Sequence, residues 1–375
     1  MIECRQTATG EAAAQARAGR GGGAAHAHEE APSVSVVIPC FNEERFIVEV
    51  LENVARQRGE GEFEILVVDG MSTDGTRAAV ERFIASRPEA GVRLIDNPAR
   101  HIPAALNRGI AAARGRVIAR MDAHSVPSEN YLRGCLAQLG REGVAVVGMP
   151  WRISPGADTL VARANAAAVS HPFGAGDAKY RVGGDSSPSQ FVDTVPFGVF
   201  TKELWRRLGG YDEGLLANED YDFNYRVRRG GGGVLLDTSG YCTYFARPTL
   251  GALARQYFRY GVWKARMVRL SPRSVKPRQL AAPAFVCALT ASGALGLWLA
   301  PARWLLAAVV GMYAAVALAS ALQAARRAGD LKLLPLLPVS FLLIHLAWGA
   351  GFLLGLGRVP RRQLRPRTPA GGGEA

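Results

Sequence analysis

Asp122 and His124 are the first residues whose type and spacing suggest chemistry. They close the stretch Arg116 to His124, which reads as a buried strand ending at an acid and, two positions on, a histidine. Residues i and i+2 of an extended chain point to the same side, so this pair is placed to grip one cation. A hard oxygen beside an imidazole suits Mn²⁺ or a similar ion better than Ca²⁺. The plainer reading is a strand end with a solvated acid and a capping histidine. A second acidic group, Asn218-Glu219-Asp220-Tyr221-Asp222, opens an expected helix. Carboxylates there act either as helix caps or as functional groups. Glu43 stands in the first turn of another expected helix, where capping and ligand contact are both open to it. Asp69 ends a strand at the same sheet edge as Asp122. No Ser-His-Asp or Cys-His set is apparent.

These residues need a sheet to hold them. Val34 to Ile38 is a β-branched run ending at Pro39, and Asn42-Glu43-Glu44 then opens a helix with Ile47, Val50, Leu51 and Val54 on one face. Strands are expected at 63–68, 92–95 and 144–148, and helices at 104–113, 129–139 and 202–208. A helix between the second and third strands has Thr73 or Asp74 as its expected cap. Strands and helices that alternate at this length imply βαβ units in a doubly wound, mainly parallel sheet. Ligands bind at the carboxyl ends of such strands. Residues 157–192, rich in Gly, Ser and Ala, read as an irregular substrate-facing insertion. Neither a dinucleotide fingerprint nor a Walker A sequence follows the first strand.

Composition sets the surroundings. The chain has 375 residues, 49% of them hydrophobic, and a net charge of +13. Such a balance fits nucleic acid, a membrane surface or phosphorylated substrates. Long uncharged runs favour the last two, and no nucleic-acid-binding pattern is present. Five scattered cysteines form no CxxC pair and read as small buried hydrophobes in a reduced compartment. Residues 1–31 read as a disordered tail without the apolar core of a signal peptide. Residues 32–248 form the expected catalytic domain. In 249–279, Arg and aromatic residues interleave at helical spacing, as in a helix lying at a membrane interface. The membrane region, 280–358, holds runs 280–300, 304–322 and 333–356, each long enough to cross the ~30 Å hydrocarbon core. Residues 359–375 form a basic disordered tail. Three crossings would place that tail outside, whereas its arginines favour the inside. Pro335 and Pro338 leave open a re-entrant or split last run.

Four stretches occur in the order of a known family: Val36-Val37-Ile38-Pro39-Cys40-Phe41-Asn42-Glu43, Val67-Val68-Asp69-Gly70-Met71-Ser72-Thr73-Asp74-Gly75-Thr76, Met121-Asp122-Ala123-His124 and Asn218-Glu219-Asp220-Tyr221-Asp222. Over about residues 33–260 the chain resembles the family 2 inverting glycosyltransferases of GT-A fold. The run Asn97 to Asn107 and the Asp-Ala-His ending bring it nearest the succinoglycan biosynthesis ExoA-like group. The resemblance implies donor contacts at Pro39, Asn42, Glu43, Asp69, Arg100, Asn107 and Asp122. It implies a divalent cation, Mn²⁺ or Mg²⁺, at Asp122 with His124 in place of the family's second Asp. Asp220 falls on the catalytic base. Glu219, Gln256 and Arg259 are expected on the acceptor and phosphate side. Gln256-Tyr257-Phe258-Arg259-Tyr260 has Tyr where processive members carry Trp, so processivity does not carry over.

The expected activity is hexosyl transfer, with UDP-glucose the favoured donor, to a lipid-linked saccharide in exopolysaccharide synthesis. The enzyme is expected in a bacterial inner membrane, multi-pass, with its catalytic domain cytoplasmic. Such transfer needs one carboxylate to deprotonate the acceptor hydroxyl and a cation to meet the leaving diphosphate. The alternatives are transfer to a polyprenyl phosphate or a glycolipid, and an inactive nucleotide-sugar-binding scaffold. A transporter is disfavoured by apolar runs without charged residues.

Overall fold

The computed structural model describes residues 33–57, 63–176, 178–182 and 188–358. The two expected tails and Cys4 lie outside the described residues. Among the described residues eleven strands form: β1 (Val34–Cys40), β2 (Phe63–Asp69), β3 (Val92–Asp96), β4 (Val117–Arg120), β5 (Ser125–Pro127), β6 (Val144–Gly148), β7 (Trp151–Pro155), β8 (Gln190–Phe191), β9 (Val199–Thr201), β10 (Gly233–Leu236) and β11 (Cys242–Ala246). β1 and β2 are buried at every position, as strands covered on both faces must be. The helix Ile47–Ala55 buries the expected stripe of Ile47, Val50, Leu51 and Val54.

The main sheet runs β3-β2-β1-β4-β9-β6-β10-β8. Its first four strands are parallel. β9 is antiparallel to both β4 and β6, β10 is parallel to β6, and β8 is an antiparallel edge. The sheet is therefore mixed, although parallel pairs predominate. A smaller sheet, β5-β11-β7, contains the continuations of β4, β6 and β10. Each of those three chains breaks between the sheets, and Asp122 and His124 lie in the break between β4 and β5.

Three local expectations change. The strand from Arg116 does not reach His124. β4 stops at Arg120, and Ser125 N–H donates to Asp122 C=O at 3.2 Å, closing a turn. A turn, not strand alternation, thus sets the relation of Asp122 to His124. In the supposedly irregular insertion, alanine-rich Leu160–Val169 is a helix, capped by the Thr159 hydroxyl on Ala162 N–H. Alanine's helix propensity outweighed the loop-like composition of its neighbours. The helix Thr76–Ser86 likewise has Gly75 at its N-cap without a side-chain bond, while Asp74 accepts from Thr76 N–H at 3.0 Å.

The helix Leu250–Leu270 packs alongside Leu337–Arg358. A Cβ at Gly261 would meet the Trp348 backbone, and one at Gly351 the Phe258 backbone. Small residues let the two helix backbones approach. The apolar runs resolve into helices Ala281–Leu295, Ala300–Arg327 and Leu337–Arg358. The first has 15 residues, about 22 Å, and falls short of a bilayer core. Among the described residues two helices are long and apolar enough to cross a membrane. Pro338 sits in the first turn of a continuous helix, so the last run is not split.

Candidate active site

Arg120 organises the site. It ends β4 in an otherwise apolar strand and is 3% exposed. Its guanidinium lies 3.1 Å from Asp122 Oδ1 and 3.0 Å from Glu219 Oε1, and also pairs with Asp220 Oδ1. Two distant acidic motifs meet on this one cation. The second arrives on the helix Glu219–Arg229, entered through Asn218 in the left-handed region at φ 64°. Asn218 tolerates that conformation better than most side chains. Its amide donates to Tyr260 C=O at 3.3 Å and ties the helix start to Leu250–Leu270. Asp222 turns away to Arg226 at 2.8 Å, so it serves its own helix.

Burial pushes the Asp220 carboxyl up to about 7. The Arg120 charge opposes the rise, and repulsion from Glu219 and Asp122 adds to it. A carboxyl titrating near neutrality is suited to general-base work. At His124, burial disfavours the charged ring. The hydrogen bond to Glu43 and the Asp122 and Glu43 charges outweigh it, so its pKa is raised. His124 Nδ1 and Glu43 Oε1 are 2.9 Å apart.

A cavity of about 220 Å³ brings Asp122, His124, Glu219, Asp220, Gln256 and Arg259 together, with Arg120, Arg247 and Arg181. Gln256 donates to the hydroxyls of Tyr244 at 2.9 Å and Tyr260 at 3.0 Å. Trp151 stacks on Tyr244 with centroids 4.0 Å apart and forms an aromatic wall. The donor set fits a divalent cation. Glu43 on Nδ1 leaves Nε2 of His124 for a metal, in the usual carboxylate-histidine arrangement. Asp122 supplies oxygen. Among the described residues no three His, Cys, Asp or Glu side chains form a complete site, so ligand oxygens would finish the shell.

Other expected donor residues lie outside this cavity. Asp69 is fully buried; it accepts from Ser72 N–H at 3.0 Å, Ser72 Oγ–H at 2.5 Å and Arg77 at 2.8 Å. Asn42, at φ 55°, accepts from Thr73 N–H at 2.8 Å. Together they brace the loops beyond β1 and β2, with Pro39 buried in β1. Arg100 is exposed in a left-handed conformation. Asn107 is committed elsewhere: its side chain binds Tyr211 C=O at 2.9 Å, Tyr211 N–H at 2.8 Å and Trp205 at 3.2 Å. It locks the turn that leads to the acidic helix and does not line the cavity.

Sequence reasoning did not single out Arg120, Arg181, Arg247, Trp151 or Tyr244. Arg120 had a readable signal, since a lone arginine in a buried apolar strand requires partners. The others come from the small sheet and the short helix Lys179–Val182, whose meeting no local pattern reveals.

The description "Glycosyl transferase family 2" is that of the family model matching residues 35–193. The succinoglycan biosynthesis protein ExoA of Rhizobium meliloti (strain 1021) is 29% identical over 319 residues, which are 84% of this chain and 93% of that protein. A dolichyl N-acetyl-α-D-glucosaminyl phosphate 3-β-D-2,3-diacetamido-2,3-dideoxy-β-D-glucuronosyltransferase of Methanococcus voltae is 25% identical over 63% of this chain and 74% of its own. Among solved structures, the mannosyltransferase PcManGT of Pyrobaculum calidifontis, in complex with GDP-Man and Mn²⁺, superposes with a TM-score of 0.53. It is 20% identical and covers 87% of this chain and 86% of its own.

Proposed function

We propose, from the premise that the chain belongs to glycosyltransferase family 2, that it transfers a hexose from a nucleoside diphosphate sugar to a lipid-linked saccharide. The chain is a glycosyltransferase of polysaccharide or glycolipid synthesis. The finer reading takes UDP-glucose as donor, inversion as outcome and exopolysaccharide as product. The gathering of Asp122, Glu219 and Asp220 around Arg120, beside His124, carries this reading.

In this mechanism Asp220 takes the acceptor hydroxyl proton as that oxygen bonds to the anomeric carbon. The bond to the nucleoside diphosphate breaks, and the diphosphate leaves with the electron pair. Arg247 and Arg259 line the same cavity and face the departing charge. Asp122 and His124 would hold a Mn²⁺ or Mg²⁺ ion, which supplies charge neutralisation to the diphosphate when bound. Pro39, Asn42, Glu43 and Asp69 shape the nucleotide side, with Glu43 also orienting His124. Arg100 joins this side as an exposed surface contact.

The acceptor reading is supported by the Methanococcus relative, whose name describes transfer to a dolichyl-linked sugar phosphate. We assign the enzyme to a bacterial inner membrane, its catalytic domain cytoplasmic, and the two crossing-length helices among the described residues support that reading. An even number of crossings returns both basic flanks to one side, as their arginines favour. The test is a panel of nucleotide sugars with the unmodified protein and Asp122→Ala. The variant should lose turnover and metal-dependent nucleotide binding. EDTA-resistant turnover in it would overturn the metal assignment.

A further inference from the structure

Arg181 has no role in the transfer mechanism, yet it lines the catalytic cavity. Its guanidinium is largely withdrawn into an aromatic surround. Nε donates to Tyr180 Oη at 3.2 Å and Nη1 to Tyr257 Oη at 3.1 Å, and the Trp151 ring centre is 4.8 Å away. Among the described residues no carboxylate stands within ion-pair distance of it. Withdrawing a guanidinium from water is costly, and rings and hydroxyls repay only part of that cost. A positive charge left this way at a cavity wall suits an anion.

The second wall that Arg181 lines indicates which anion. A separate hollow of about 360 Å³ shares Tyr180, Arg181, Thr194, Asn218, Tyr221 and Tyr260 with the catalytic cavity. Its remaining lining includes the segment around Phe173, Asp193 and Arg278, and Ala281, Ala282, Ile344 and Trp348 on the C-terminal helices. His124, Arg247 and Arg259 line only the catalytic cavity, so the donor's phosphates have cations of their own. The other guanidinium in the hollow, Arg278, is paired with Asp193 at 2.8 Å, so a mainly apolar hollow entered past Arg181 matches an amphiphile with a phosphate head.

We propose that Arg181 binds the phosphate of the lipid carrier and that this hollow takes the first part of its hydrocarbon chain. The attached saccharide then extends towards Asp220. The inference rests on the lipid-linked-acceptor reading and adds the site that recognises the carrier.

The test uses the full chain in detergent with UDP and Mn²⁺ at saturation, so that the donor side is filled. The probes are radiolabelled farnesyl phosphate, farnesol and inorganic phosphate, bound to the unmodified protein, Arg181→Gln, Arg181→Lys and Ile344→Trp. Arg181→Gln should weaken farnesyl phosphate binding roughly 10–100-fold, the range of a lost hydrogen bond to a charged group. UDP affinity on the same preparation should change less than about threefold, which also reports folding, and Arg181→Lys should fall between. Ile344→Trp should weaken farnesyl phosphate but not inorganic phosphate. Equal loss of UDP and farnesyl phosphate in Arg181→Gln would assign Arg181 to the donor and overturn the proposal. Farnesyl phosphate binding untouched by Arg181→Gln would overturn it while leaving the lipid reading standing. If the unmodified protein binds UDP but no farnesyl phosphate, the lipid reading falls and takes this inference with it.

Discussion

Arg120 and Arg181 line one cavity, and the fold treats them in opposite ways. Arg120 is surrounded by three carboxylates from two distant motifs. Arg181 is surrounded by tyrosine hydroxyls and a tryptophan face. The first charge is balanced by the protein and acts on the proton of Asp220. The second has no acidic partner among the described residues, and in our proposal a ligand supplies it. Removing one partner from a buried ion pair strands the other charges, whereas removing a charge with no acidic partner strands no charge.

That contrast can be broken by experiment. Arg120→Met should destabilise the protein by about 3–5 kcal/mol, because three acids lose their shared cation; thermal or denaturant unfolding of the solubilised protein measures it. Glu43→Gln acts on the neighbouring histidine. Losing the carboxylate that orients His124 should weaken Mn²⁺ affinity roughly 10–100-fold, read by titrating the metal in the presence of UDP. The pH profile sharpens the electrostatic account. In the proposed mechanism Asp220 works as a carboxylate, and burial raises its pKa to about 7. Turnover should therefore fall as pH drops through about 7, roughly tenfold per unit below it. Because the Arg120 charge favours the ionised form, any active Arg120 variant should show this midpoint displaced upward. The smallest effect is expected from Arg181→Met, whose stability should stay within about 1 kcal/mol of the unmodified protein. A loss as large as that of Arg120→Met would end the distinction between the two arginines.

Much of the fold was readable because burial and period agree locally. β1 and β2 are mainly apolar runs that finish at Pro39-Cys40 and at Asp69, and Ile47, Val50, Leu51 and Val54 repeat at helical spacing. The acids Asp122, Glu219 and Asp220 were legible as types in context. Their meeting on Arg120 was not, because it depends on β9 entering the sheet antiparallel to β4 and on the turn after Asp122. Asn107 shows the converse error. A polar residue in a motif-like stretch was assigned to the donor, yet its side chain locks a turn about a hundred residues away in sequence. The 280–300 run misled for another reason: hydropathy does not reveal that the helix stops at Leu295.

The central claim is that Asp220 accepts the acceptor's proton while Asp122 and His124 serve the donor. Asp220→Asn keeps the side-chain shape and removes the proton acceptor. Donor affinity and turnover, measured on one preparation of that variant, test the claim most directly. Turnover should fall about 10²–10⁴-fold, the range of a lost acid–base group, with UDP and Mn²⁺ affinity nearly unchanged. Near-normal turnover would contradict the assignment and move the base to Glu219, and binding lost together with turnover would place Asp220 on the donor side.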